Sequence, residues 1–117
     1  MKLIHKLEPL WWILFGAGGF VACFFLPALL LGVLILGPLG AMPHGLSYDH
    51  AHMLASSMVG KGFLCVVITL VLWHCAHHLR HFILDLGGHS LATIAAFSSY
   101  GLAVVGTIAT FSIVGAL

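Results

Sequence analysis

The stretch FLCVVITLVLWHCAHHLRHFILDLGGHS, residues 63–90, decides how this chain must fold. It starts as unbroken apolar sequence, turns rich in imidazole at residue 74, and ends at a pair of glycines. Residues 72–90 hold five of the nine histidines and the only arginine, in a chain with 6% charged residues. Hydrophobic residues fill 62% of the 117 positions, and the mean hydropathy is +1.17. A soluble domain of this length needs far more polar surface, so the bilayer is the solvent. Residues 9–48, 62–79 and 86–117 contain no Lys, Arg, Asp or Glu. Each can supply the roughly 18–20 apolar residues that cross a hydrocarbon core about 30 Å thick.

The sequence therefore predicts an all-α membrane protein, a single domain over residues 1–117. Its three transmembrane helices span about 10–36 (helix I), about 50–86 (helix II) and about 91–115 (helix III). Pro27 predicts a kink in helix I. Asp49 is the expected N-cap of helix II, and Ser90 that of helix III after the GGHS break. The start MKLIHK would also suit a signal peptide, but the apolar run behind it is too long and lacks a small-x-small cleavage site. Net charge is +1 with histidine neutral, which points away from nucleic acid. Cys23, Cys65 and Cys75 have no CxxC spacing and fall inside the apolar spans, as small packing residues do.

Lys2 and Lys6 precede helix I and Arg80 lies near the end of helix II, whereas the first loop carries no cation. The positive-inside rule then puts the N-terminus and second loop in the cytoplasm and the C-terminus outside, with Lys61 as the one dissenting charge. Ala95, Ser99 and Ala103 recur at four-residue spacing in helix III, and FGAGG opens helix I at residues 15–19. Both predict close approach of helix backbones, and FGAGG can also receive something flat against bare backbone. Three helices are few to enclose a site, so partner helices from another chain are expected.

On a helix, His74, His77, His78, His81 and Asp85 share one face, within roughly 60° of His74. Carried toward the other end, that face holds Leu70, Val67, Phe63, Gly60 and Ser56, and Arg80 points off it. Imidazoles at membrane depth mark a site or a protein interior; nearer the surface they also suit the C-terminal end of a helix dipole. Three chemistries fit: hydrogen bonding and proton transfer to a quinone, axial ligation of a haem, or direct binding of zinc or copper.

These pieces together resemble the hydrophobic D subunits of bacterial quinol:fumarate reductases, relatives of succinate dehydrogenase. WILFGAGG (residues 12–19) resembles that family's W-x-L-F-G-A-G-G at the start of helix I. LGPLG (36–40) and LSYDH (46–50) resemble its first loop. GKGFL (60–64) and LWHCAHHLRHFILDL (72–86) are similar to its helix II. The resemblance implies half of a heterodimeric membrane-anchor bundle in the bacterial cytoplasmic membrane. A second hydrophobic subunit (C) would complete the bundle, with an iron–sulfur subunit (B) and a flavoprotein (A) on its cytoplasmic face. Menaquinone or ubiquinone would be the membrane carrier. FAD and the iron–sulfur clusters would belong to the partners, since this chain has neither a Gly-rich βαβ signature nor a cysteine motif.

The resemblance also implies roles. Trp12 matches the helix I tryptophan near the quinol, His77 the helix II histidine implicated in quinol oxidation, and His81 another histidine of that block. Ser56 and Ser57 fall where the family has a polar pair near an outer quinone position. His78 stands where an enterobacterial member has arginine, and Arg80 follows two places later; both join the expected quinone-binding set. His74 replaces a cysteine of that member, creating H-x-x-x-H-x-R-H-x-x-x-D-x-G. That string resembles the haem-ligating block of the succinate dehydrogenase C subunit, which makes His74 a candidate axial ligand for haem b. The motif R-P-x-S-P-H of that subunit is absent. The alternatives are a haem-ligating anchor of a succinate:quinone oxidoreductase, a small histidine-lined metal transporter, and a pure scaffold subunit. A transporter predicts polar residues along the whole depth of a path, whereas here they gather at one end.

Overall fold

A backbone in hydrocarbon must satisfy its own hydrogen bonds, and this chain does so with helices. The computed structural model describes residues 2–41 and 47–117, apart from the side chains of residues 2–5, 7, 8, 11 and 33. The centre of the first loop, 42–46, lies outside the described residues. Helix α1 spans Lys2–Leu29 and continues into a wider, π-wound stretch, Leu30–Leu36. Then come α2 (Tyr48–Ser56), α3 (Met58–Gly87), a 3-10 turn (His89–Leu91) and α4 (Ala92–Ala116). No strand occurs among the described residues. Three segments are long and apolar enough to cross a membrane: Trp12–Leu36, Met58–Gly87 and His89–Ala116. The longest extent of the molecule is 53 Å, so helix ends project beyond a hydrocarbon core of about 30 Å.

α3 is the central helix, with α1 packed on one side and α4 on the other. The α4 seam is the small-residue stripe: Ala95 and Ser99 are fully buried, and Ala103, Thr110 and Val114 continue the line. Small side chains there bring the two backbones close, and dispersion between them replaces a hydrophobic drive that lipid does not supply. Gly106 belongs to this seam, since a Cβ would come within 3.1 Å of Leu72 Cδ1; Gly101 faces open space. The hydroxyls of Ser98, Thr107, Thr110 and Ser112 donate to the carbonyl four residues back, which lets polar side chains ride in an apolar helix.

The α1 seam is built on Gly18 and Gly19. A Cβ on Gly18 would run into the Leu70 carbonyl and come within 2.8 Å of His74 Cβ; one on Gly19 would sit 2.7 Å from His74 Cε1. The flat group that FGAGG receives is therefore the His74 ring itself. Further along, Phe25 meets Phe63 edge-on with ring centroids 5.4 Å apart. The π-wound stretch begins one turn after Pro27, whose ring removes one intrahelical donor; the Gly37 N–H closes it by donating to Gly32 O at 2.8 Å.

Three local expectations need correction. Helix II is not continuous from 50 to 86 but breaks at Ser57, where ψ is 154°. The Ser57 hydroxyl donates to Leu54 O (2.6 Å) and accepts from Gly60 N (3.0 Å), capping α3. Only glycine fits at 60, because a Cβ there would collide with the Leu54 carbonyl. Asp49 is not the N-cap of α2: Ser47 holds that place, and Asp49 lies in the first turn, where its charge faces the positive end of the dipole. Ser90 does not cap α4 either. Its hydroxyl donates back to Gly87 O at 3.1 Å, and Leu91 stands in the cap position. The turn between α3 and α4 depends on Gly88, whose φ of 70° a side chain would resist.

Candidate functional site

Because α1 and α3 run antiparallel, the start of α1 meets the end of α3, and α4 begins beside them. Phe15 of α1 fills the junction. Its ring centroid lies 4.6 Å from that of His74, 4.5 Å from His77 and 5.1 Å from His78. The histidine stripe, one face by periodicity, is thereby parted into two pairs one helical turn apart. His77 and His81 are edge-on at 4.6 Å, and so are His74 and His78.

The first pair opens onto a cavity of about 640 Å³ shared by all three helices. Trp12, Leu14 and Phe15 line it from α1, Trp73, His77, Arg80 and His81 from α3, and Ala96 and Tyr100 from α4. Trp12 is 68% exposed, so it stands at the open side of the cavity. His77 Nδ1 lies 3.2 Å from the Tyr100 hydroxyl. Tyr100 stacks on Trp73 with ring centroids 6.0 Å apart, and the Trp73 indole donates to Thr107 Oγ1 at 3.2 Å. Flat aromatic surfaces thus stand beside two imidazoles and a guanidinium. Arg80 lies off the face centred on His74, as expected, and lines this cavity because Trp73, His77, Arg80 and His81 share the adjacent face of α3 at i, i+4, i+7 and i+8. Its Nε is sealed from solvent and has no hydrogen-bond partner among the described residues.

Of the expected quinone-binding residues, Trp12, His77, Arg80 and His81 come together here; His78 does not. It lines a groove of about 710 Å³ between α3 and α4, shared with His74, Phe82 and Ser99 among others. Ser56 and Ser57 lie near the break between α2 and α3, with their hydroxyls bonded to His52 O and Leu54 O. Sequence reasoning passed over Phe15, Trp73 and Tyr100. Trp73 was legible as the residue beside the histidine block, and Phe15 as three residues after Trp12. Tyr100 carries the sole phenol of helix III.

His74 is held differently. Its Nδ1 lies 3.0 Å from the Phe15 carbonyl, which can only accept, so the proton sits on Nδ1 and Nε2 carries the lone pair. The ring stacks on Phe15 at 23°, and a Cβ on Gly19 would lie 3.4 Å from Nε2. Phe15 on one ring face and the bare backbone of Gly19 beside Cε1 hold His74 as a packing residue of the α1 seam, and the ring also borders the groove between α3 and α4. No group of three or more His, Cys, Asp or Glu placed to hold a metal ion occurs among the described residues.

An apolar three-helix chain with four imidazoles near one end of its central helix, two of them lining a cavity open on one side, has the build of a membrane-embedded subunit. The chain matches the fumarate reductase D subunit family over residues 3–114, and it belongs to that family. It is similar to the fumarate reductase D subunit of Vibrio vulnificus, 36% identical over 109 residues covering 92% of this chain and 78% of the relative. For the Vibrio cholerae protein of that name the figures are 35% over 99 residues, 84% and 75%. For that of Aliivibrio fischeri they are 34% over 102 residues, 86% and 84%. Membership makes this chain a membrane-anchor part of a fumarate reductase, an oxidoreductase complex with other subunits.

Proposed function

We propose that this chain forms one half of a quinol site and holds the redox subunits of fumarate reductase at the cytoplasmic face of the membrane. The observation that carries the reading is the meeting of Trp12, His77, Arg80 and His81 around one cavity at one end of the bundle. A quinol needs a slab-shaped apolar slot for its ring, polar groups for its two oxygens, and a short route to water for its protons. Trp12, Phe15, Trp73 and Tyr100 supply the aromatic walls. His77, Arg80 and His81 supply the polar edge, His77 as proton acceptor and Arg80 as a fixed donor.

Oxidation of menaquinol or ubiquinol releases two protons and two electrons. The electrons pass to the iron–sulfur and flavoprotein partners and reduce fumarate to succinate; the protons leave through the imidazoles. The exposed Trp12 wall is where a second hydrophobic subunit completes the slot. Orientation follows: the N-terminus and the α3–α4 turn face the cytoplasm. Lys61, the dissenting charge, donates from Nζ to Gly115 O at 3.1 Å, so it caps the far end of α4. The apolar run Phe63–Leu72 of α3, broken only by Thr69, separates the imidazoles from the polar groups at its other end, which supports a site in preference to a transport path.

The test is mild-detergent purification followed by substitution of His77. The chain should co-isolate with a flavoprotein, an iron–sulfur protein and one other small hydrophobic subunit; isolation as a homo-oligomer contradicts the reading. His77→Asn should slow quinol oxidation about 10²-fold or more, the span of one general base, while fumarate reduction from a reduced viologen dye is unchanged. Equal loss of both activities would instead mean failed assembly. A reduced-minus-oxidised spectrum should show no b-type band that depends on His74.

A further inference from the structure

We propose that Tyr100 is a positioning residue for His77, setting which imidazole nitrogen meets the quinol; this rests on the quinol-site reading above. The two side chains are 23 positions apart, on different helices, and meet only because α4 packs against α3. Both line the same cavity. The phenol oxygen lies 3.2 Å from Nδ1, so one nitrogen of His77 is committed to Tyr100 and Nε2 is the one left for a ligand.

A neutral imidazole carries one N–H and one lone pair, and only the lone pair can take a proton. When Nδ1–H donates to the phenol oxygen, the lone pair falls on Nε2. That tautomer is the base. In the opposite tautomer Nε2 carries the proton and cannot accept one from a quinol hydroxyl. Tyr100 serves the neutral and the protonated ring alike, because in each the phenol oxygen accepts from Nδ1–H. After the quinol O–H proton has moved to Nε2, the imidazolium still donates from Nδ1 to the phenol oxygen. Its two ring protons then face Tyr100 and the departing quinone. The second quinol proton passes to His81 in the same cavity, and the two electrons leave to fumarate through the partner subunits, so both protons and both electrons are placed.

The phenol is itself held. Tyr100 stacks on Trp73, and the Trp73 indole is tied to Thr107, whose hydroxyl donates to Ala103 O at 2.7 Å. Phe15 and His81 pack against the His77 ring and limit its rotation. A chain of contacts from α4 through Trp73 and Tyr100 therefore sets the pose of a single nitrogen, as outer partners orient a reactive histidine elsewhere.

The experiment is a double-mutant cycle on the whole purified complex, using Tyr100→Phe, His77→Asn and both together. Quinol-driven and viologen-driven fumarate reduction are measured in the same preparation and expressed as a ratio, so a lower yield of complex does not affect the result. Tyr100→Phe should lower quinol-driven kcat about tenfold, the effect of one lost hydrogen bond, with KM changed less than about twofold and the viologen rate unaltered. In the His77→Asn background the same substitution should change kcat less than about twofold, because the two residues act as a unit. Tyr100→Trp, which keeps an aromatic wall but has no oxygen to accept from Nδ1–H, should behave like Tyr100→Phe. A tenfold loss that persists without His77, a rise in KM alone, or a silent Tyr100→Phe overturns the proposal. A silent His77→Asn overturns the quinol-site reading as well, and that result is distinct from the other three.

Discussion

Adding one methyl group at three glycines of FGAGG should give three different outcomes, because each glycine faces different surroundings. Alanine in place of glycine raises helix propensity by about 0.8–1.0 kcal/mol. At Gly16 a Cβ meets nothing within 4 Å, so Gly16→Ala keeps that gain. At Gly19 the methyl would lie 2.7 Å from His74 Cε1. Normal carbon contact is about 3.5–4.0 Å, so the ring must retreat about 1 Å. That stretches the 3.0 Å contact between His74 Nδ1 and Phe15 O past hydrogen-bonding range. The loss of about 0.5–1.5 kcal/mol cancels the propensity gain, and Gly19→Ala should be close to neutral in stability.

At Gly18 the obstacle is the Leu70 carbonyl, part of the α3 backbone, together with His74 Cβ at 2.8 Å. No side chain can swing clear, so α1 and α3 must separate, at a cost of about 1–3 kcal/mol or more for overpacking. Gly18→Ala should therefore destabilise by up to about 2 kcal/mol net, or more. The assay is the temperature at which half of this chain is lost from the detergent-solubilised complex. The predicted order is Gly16→Ala at or above wild type, Gly19→Ala near it, and Gly18→Ala clearly below. A Gly18→Ala complex as stable as wild type would refute the close α1–α3 approach.

Further substitutions probe the ends of the helices and the aromatic column. Lys61→Met removes the cap on Gly115 O, worth about 0.5 kcal/mol, so amide hydrogen exchange in the last turn of α4 should quicken about twofold. Gly88→Ala forces a side chain into φ 70° and should cost about 1–3 kcal/mol, seen as a lower thermal midpoint of the complex. Thr107→Val keeps the volume but strands the Trp73 N–H, at a cost of about 1–3 kcal/mol. Quinol-driven kcat should fall with it, because Trp73 supports Tyr100, whereas the viologen-driven rate should hold.

The spans were legible because uncharged runs of this length have one stable solvent. The stripe of Ala95, Ser99 and Ala103 was legible because four-residue spacing of small side chains has one physical use in lipid. The grouping of Trp12, His77 and His81 was implied by the family resemblance, and opposite directions of helices I and II put them at one end. The division of the histidines was not legible: a 100° step leaves His74 and His77 about 60° apart, and only the seat of Phe15 separates them. The break at Ser57 depends on Leu54 lying against Gly60, which periodicity does not encode. Arg80 was expected in the set from the resemblance, and periodicity about His74 missed it because the cavity lies on the adjacent face of α3. Tyr100 escaped because its meaning comes from a partner on another helix.

The most direct test is an experimental map of the assembled complex with a quinol-site inhibitor bound. The ring should lie in the cavity walled by Trp12, Phe15 and Tyr100, with an oxygen within hydrogen-bond distance of His77 and the Tyr100 hydroxyl still on Nδ1. A ring seated in the groove beside His74 and His78, or away from this chain altogether, would contradict the site.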